Sequence, residues 1–229
     1  MISLLLLGLL LGMRHALEAD HLAAVAAIST KEQTIKATIR HGAVWGLGHT
    51  TTLFIFGSIV IWMDTIIPED MANQLEYAVG IMLILLGLDV IRRLIKDRIH
   101  YHTHRHHHAE PHFHAHSHAG EIDHKLSQHE HTHNGKFPVR TLFIGLMHGM
   151  AGSAALILLT LNTLNSNWLS MLYMLLFGIG SIIGMALISI VIAIPLKAST
   201  RLTWLHNSLQ ASIGSFTLIF GITIVMKFS

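Results

Sequence analysis

Apolar residues along this chain gather into six long runs, at about residues 2–28, 43–63, 75–95, 141–161, 169–194 and 209–226. A helix rises about 1.5 Å per residue, so some 20 largely apolar residues span the roughly 30 Å hydrocarbon core of a bilayer. The pattern predicts an all-α membrane protein of six transmembrane helices. The first run has no basic segment before it and no small-residue cleavage site, and it leads straight into a charged motif. It is therefore expected to be a retained span, not a signal peptide. Residues 1–95 form one three-helix unit, 96–137 a polar histidine-rich loop and 138–229 a second three-helix unit.

Composition agrees with this reading. Hydrophobic residues make up 52% of the chain and charged residues 12%, about half the charged share of an ordinary soluble domain. With no cysteine, disulfides and thiolate metal sites are excluded. The basic residues sit in the connections, where they set topology and give no sign of a nucleic-acid partner. One side of the membrane collects Lys31, Lys36, Arg40, the run from Arg92 to Arg140, Lys197 and Arg201. The other has Lys227 together with Asp64, Glu69 and Asp70. The positive-inside rule puts both termini outside and the histidine-rich loop in the cytoplasm of a multi-pass inner-membrane protein.

The two halves resemble each other. Gly12-Met-Arg-His15-Ala-Leu parallels Gly145-Leu-Met-His148-Gly-Met, and Trp45-Gly-Leu-Gly-His49 parallels Phe177-Gly-Ile-Gly-Ser181. Gly80 and Gly87 parallel Gly214 and Gly221 with identical separation. A repeat of three spans must enter the membrane from the opposite face the second time, an arrangement common in transporters with a substrate site at the repeat interface. Paired glycines alone are explained by close helix packing. Histidines at the matching positions His15 and His148 are not.

The candidate chemistry lies in Arg14-His15-Ala-Leu-Glu18-Ala-Asp20-His21, within an otherwise apolar span. A charged residue at such depth costs about 2.5–3.5 kcal/mol on insertion scales, so the group needs partners, water or a cation. His49 and His148, in the second and fourth spans, are the natural partners. In a regular helix His15, Glu18 and His21 form a stripe stepping by about 60°, while Asp20 points away from it. Convergence on one ion requires a break in the helix, the favoured reading, or an Asp20 that instead fixes a histidine tautomer. Imidazole with carboxylate and no thiolate suits a borderline divalent ion such as nickel, cobalt or zinc. A hard ion would use oxygen ligands alone.

These residues resemble the signature of the nickel/cobalt transporter family, a histidine, four residues, then Asp-His. Gly46-Leu-Gly-His49-Thr-Thr is similar to that family's second motif. The resemblance implies a metal-selective site made by His15, Asp20 and His21, joined by His49. Glu18 departs from the Asp usual there, and the fourth span around His148 looks like the shorter branch labelled urease accessory or nickel/cobalt efflux proteins. Expected metal contacts are thus His15, His21 and His49, then Asp20, then His148 and Glu18. Ni2+ or Co2+ is expected as transported substrate, with no cofactor. The lipid bilayer and cytosolic nickel-handling proteins are the other expected partners.

Fourteen of the 20 histidines lie between His100 and His133. Such a stretch binds divalent ions weakly and in many geometries, and it is expected to be disordered without metal. It could collect ions for efflux, buffer imported ions or regulate a gate. Uptake is favoured over efflux on the likeness to the urease-associated branch. Two readings of another class compete. Ser153 in a fourth span resembles an intramembrane serine protease, but no histidine lies within the sixth span. Membrane histidine pairs would also suit a haem-binding cytochrome, against which Glu18 and Asp20 favour a bare cation. The chain is read as a carrier, not an enzyme. It has no ATP-binding loop, and proton coupling through Asp20 or a histidine stays open.

Overall fold

A computed structural model describes residues 2–32, 34–63, 68–96, 100–104, 112–116, 138–151, 166–200 and 202–228. Among them are seven helices: α1 (Ile2–His15), α2 (Ala19–Ser29), α3 (Ile35–Met63), α4 (Glu69–Lys96), α5 (Val139–Ala151), α6 (Asn167–Ser199) and α7 (Thr203–Phe228). Three of these, α3, α6 and α7, are long and apolar enough to cross a membrane. The first apolar run is interrupted. Leu17 N–H bonds the Arg14 carbonyl and Glu18 N–H bonds that of His15, tightening the end of α1 into a turn. Glu18 then adopts an extended backbone, and Leu22 N–H returns to its carbonyl to start α2. The expected break is therefore present, at Ala16–Glu18. Of the fourth run, residues 152–161 lie outside the described residues.

Helix α3 packs against α5 and α6, α1 against α6, and α4 against α7, while α2 lies among α4, α6 and α7. Glycines set the closest approaches. A Cβ on Gly12 would overlap the Phe177 carbonyl, and one on Gly145 would overlap that of Trp45. Gly80 meets the Gly221 carbonyl and Gly87 that of Gly214. Under the correspondence Gly12 to Gly145 and Trp45 to Phe177, each contact of a pair becomes the other with the two halves exchanged.

The outside of the bundle is apolar. Leu10, Ile55, Ile59, Leu85, Phe143, Leu187, Val191 and Ile219 are all exposed, a surface suited to lipid and unsuited to water. Trp62 and Trp168 stack edge to face, 6.2 Å between ring centres, at adjoining ends of α3 and α6. The opposite end gathers the basic segments. Asp89 on α4 pairs with Lys31 (2.8 Å) and Arg140 (3.5 Å), and Arg93 donates to the Thr30 hydroxyl (3.0 Å).

One departure from the all-α expectation appears. Strands β1 (His100–His104) and β2 (His112–His116) form a two-stranded antiparallel sheet, with His100, His102 and His104 opposite His116, His114 and His112. The segment was expected to be without structure, from its composition. Its His-x-His alternation also has a period of two, which is the strand period, and Tyr101, Thr103 and Phe113 favour strands.

Candidate metal centre

The helix break positions the first cluster. His15 ends α1, Glu18 caps the start of α2, and Asp20 and His21 occupy the first turn of α2. An acidic group there faces unpaired backbone donors and the positive end of the helix dipole, and Asp20 Oδ1 accepts the His21 backbone N–H at 2.9 Å. His49 comes from the middle of α3, and His148 from the last turn of α5. The structure brings all six expected site residues together, while Arg14 is exposed.

The four imidazoles form one block. Ring centres lie 4.3 Å apart for His15 and His21, 4.4 Å for His21 and His148, 5.0 Å for His21 and His49, 5.3 Å for His15 and His49, and 5.8 Å for His49 and His148. His21, His49 and His148 are almost wholly buried. Two overlapping triads, His15–His21–His49 and Asp20–His21–His148, each present ligand atoms within 4.8 Å of one another. Metal–imidazole bonds are about 2.0–2.1 Å for an ion such as zinc, so a small contraction would close the His15–His21–His49 triad on one ion.

The carboxylates act on the rings. His15 Nδ1 is 2.9 Å from Glu18 Oε1, His21 Nδ1 is 2.9 Å from Asp20 Oδ1, and His148 Nε2 is 2.9 Å from Asp20 Oδ2. An ionised carboxylate only accepts, so each of these nitrogens carries the proton. The lone pairs then fall on His15 Nε2, His21 Nε2 and His148 Nδ1. Those three atoms, with both ring nitrogens of His49, are buried and have no hydrogen-bond partner. Leaving a buried polar atom unpaired costs about 1–3 kcal/mol. A cation that drew on these lone pairs would remove much of that cost. Asp20 thus does what either sequence alternative required: the helix breaks, and its carboxylate also fixes two histidine tautomers.

Two aromatic rings wall the cluster. Phe177 lies 5.3 Å from His15, and Trp45 lies 5.3 Å from His148 and 5.4 Å from His21. Sequence reasoning used Trp45 and Phe177 only to align the halves, and their matching positions were the signal that could have shown this role. At the position matching His49 stands Ser181, buried with its hydroxyl unpartnered. The cluster opens beside Glu18, whose side chain is 58% exposed against 11% for His15. His21 and His148 meet edge to face, which leaves no slot for a macrocycle between them. Ser153 lies outside the described residues.

Comparison with known proteins gives a family model, described as NicO, high-affinity nickel-transport protein, that matches residues 1–228. The urease accessory protein UreH of Bacillus sp. (strain TB-90) is 38% identical over 222 residues, covering 97% of this chain and 90% of that protein. No solved structure matches the chain.

Proposed function

Because the chain belongs to the NicO high-affinity nickel-transport family, we propose that it carries nickel or cobalt ions across the membrane through the four-histidine centre. One observation carries this reading: five ring nitrogens are buried side by side without hydrogen-bond partners. His15, His21 and His49 are the proposed direct ligands, with His148 and Asp20 forming an overlapping position and Glu18 orienting His15. An ion arriving beside exposed Glu18 would exchange water for imidazole. Its hand-over from the His15–His21–His49 triad towards His148 would pivot on His21, while Asp20 holds the protonated nitrogens of His21 and His148.

The proposed architecture is six spans in two inverted three-helix repeats, supported by the exchanged glycine contacts and by the paired His15–Phe177 and His148–Trp45 contacts. The end bearing Lys31, Arg93 and Arg140 is assigned to the cytoplasm by the positive-inside rule. Uptake is favoured over efflux, on the likeness to a protein named as a urease accessory. Radioactive nickel flux in sealed vesicles, followed in both directions, tests all of this. Accumulation that cobalt competes with, and that vanishes in His21→Ala, supports an uptake carrier. Faster loss from preloaded vesicles reverses the direction, and no flux either way refutes transport.

A further inference from the structure

A second set of the same donor types lies at the basic end of the bundle. His41 is on α3 two turns before His49, with Trp45 midway between them. Residues four apart share a helix face, and each step advances about 6 Å, which puts His41 about 12 Å along the axis from the centre. His41 Nε2 is 3.1 Å from Glu32 Oε1, and its Nδ1 is 2.7 Å from the Thr141 hydroxyl. Both side chains are largely buried, 18% exposed for His41 and 19% for Glu32.

Space adjoins this pair on two sides. A cavity of about 100 Å³ is lined by Glu32, His41, Asp89 and Thr141. A second, of about 110 Å³, is lined by Ser29, Thr34, Thr38, Thr200, again Glu32, and one cation, Lys197. A water molecule takes about 30 Å³ of liquid, so either could hold an ion that keeps part of its water. Lys31 and Arg140 also line the first cavity, but both are engaged by Asp89. On α3, one turn from His41 and one from His49, lies Trp45, wholly buried and in contact with His21 and His148.

We propose that Glu32 and His41 form a transient station for the same divalent cation at the basic end of the bundle, separated from the four-histidine centre by Trp45 as a gate. The inference rests on the transport reading above. Imidazole and carboxylate match the donors of the main centre, and two protein ligands with retained water suit an ion that must leave again. In the ion's absence, His41 ties the segment before α3 to the first turn of α5 through Glu32 and Thr141. Occupation of the station replaces the Glu32–His41 contact with contacts to the metal, which frees that tie when an ion is present.

The test is radioactive nickel flux with the full chain in right-side-out and inside-out vesicles, for wild type, His41→Ala, His41→Gln, Glu32→Gln and the His41→Gln/Glu32→Gln pair. Loss of a group supporting a metal costs about 10–100-fold in affinity. The expected result is an apparent KM raised at least about tenfold for nickel presented at the basic end and held within about twofold from the other face. The pair should be no worse than either single change. Glutamine at 41 can still hydrogen-bond Thr141 and Glu32, so wild-type behaviour of His41→Gln would reduce the site to a structural tie and overturn the station. Equal effects from both faces would overturn it too. Should only Glu32→Gln insert normally, its KM from the two faces decides alone. A wild-type protein without flux takes down the transport reading itself, a result distinct from any of these.

Discussion

The Asp20 carboxylate accepts a hydrogen bond from His148 Nε2 at 2.9 Å, joining residues 128 apart in sequence across the two halves of the chain. Its other oxygen, also at 2.9 Å, holds His21 Nδ1. One side chain therefore orients two imidazoles and turns the lone pair of each inward.

Asp20→Asn puts an amide donor where one of these rings now donates. That ring must accept there and carry its proton on the inward nitrogen, which removes a ligand lone pair. Nickel affinity should fall about 10–100-fold with helical content unchanged. Glu18→Gln acts on a carboxylate that is mostly exposed, where water can take over, so its loss should stay under about tenfold. Titration calorimetry of the two purified variants checks the order. Equal losses would mean that Asp20 has no special hold on the site.

His49 and His206 are both buried, yet their surroundings are opposite. His49 has neither ring nitrogen paired. His206 Nδ1 lies 3.0 Å from the Ser199 hydroxyl and 3.1 Å from the Leu196 carbonyl, and its Nε2 lies 2.8 Å from Gln210 Nε2. His49→Leu removes two unpaired polar atoms at similar volume and should raise the unfolding free energy by about 1–3 kcal/mol while abolishing nickel flux. His206→Leu strands its partners and should lower stability by about the same amount. Unfolding curves in detergent beside flux assays separate the two. A His49→Leu protein as unstable as His206→Leu would show that the fold, not the ion, needs His49.

The candidate cluster is legible in the sequence because charge in an apolar run is costly and conspicuous. Every one of the six residues was flagged by that contrast, and the helix break followed from the angle between Asp20 and the His15–Glu18–His21 stripe. Trp45 was not legible as a wall, since an aromatic residue in an apolar helix looks like any other core residue. Glu32 and His41 escaped notice for the opposite reason, being polar residues next to a polar connection. The pairing of His100–His104 with His112–His116 was within reach, because the alternation that favours a strand was read only as composition. Which helix lies on which was beyond the pattern. Gly12 against Phe177 and Gly145 against Trp45 require two backbones to meet, and a one-dimensional string does not state such a meeting.

Those glycines test the exchanged packing. Gly12→Ala and Gly145→Ala each drive a methyl group into a helix carbonyl, and overpacking of this kind costs about 1–3 kcal/mol. The two losses should be similar, because the contacts correspond. Gly8→Ala meets the Tyr173 ring at 3.0 Å and its carbonyl at 3.3 Å, a milder overlap than at Gly12 or Gly145, so its loss should be under about 1 kcal/mol. Unfolding midpoints of the three variants give the comparison. A harmless Gly145→Ala beside a damaging Gly12→Ala would argue against the paired arrangement.

Removal of residues 100–133 takes away 14 histidines and none of the four-histidine centre. The helices flanking this segment, α4 and α5, are held independently of it. Asp89 of α4 pairs with Arg140 of α5, and α3 packs along α5. Weak, multiple histidine sites fill at neutral pH and empty as the rings protonate near pH 6.5. On the proposed reading they would add capacity at the basic end without forming the path. The deletion variant should therefore insert normally and retain basal nickel flux. Its apparent affinity for nickel at the basic end should change, and that affinity should lose any dependence on pH between about 6 and 7 that arises from this segment. Flux and its concentration dependence, measured at the two pH values for wild type and deletion, provide the check. Complete loss of transport in a normally inserted deletion variant would place the segment in the conduction path and refute its assignment as an accessory metal binder.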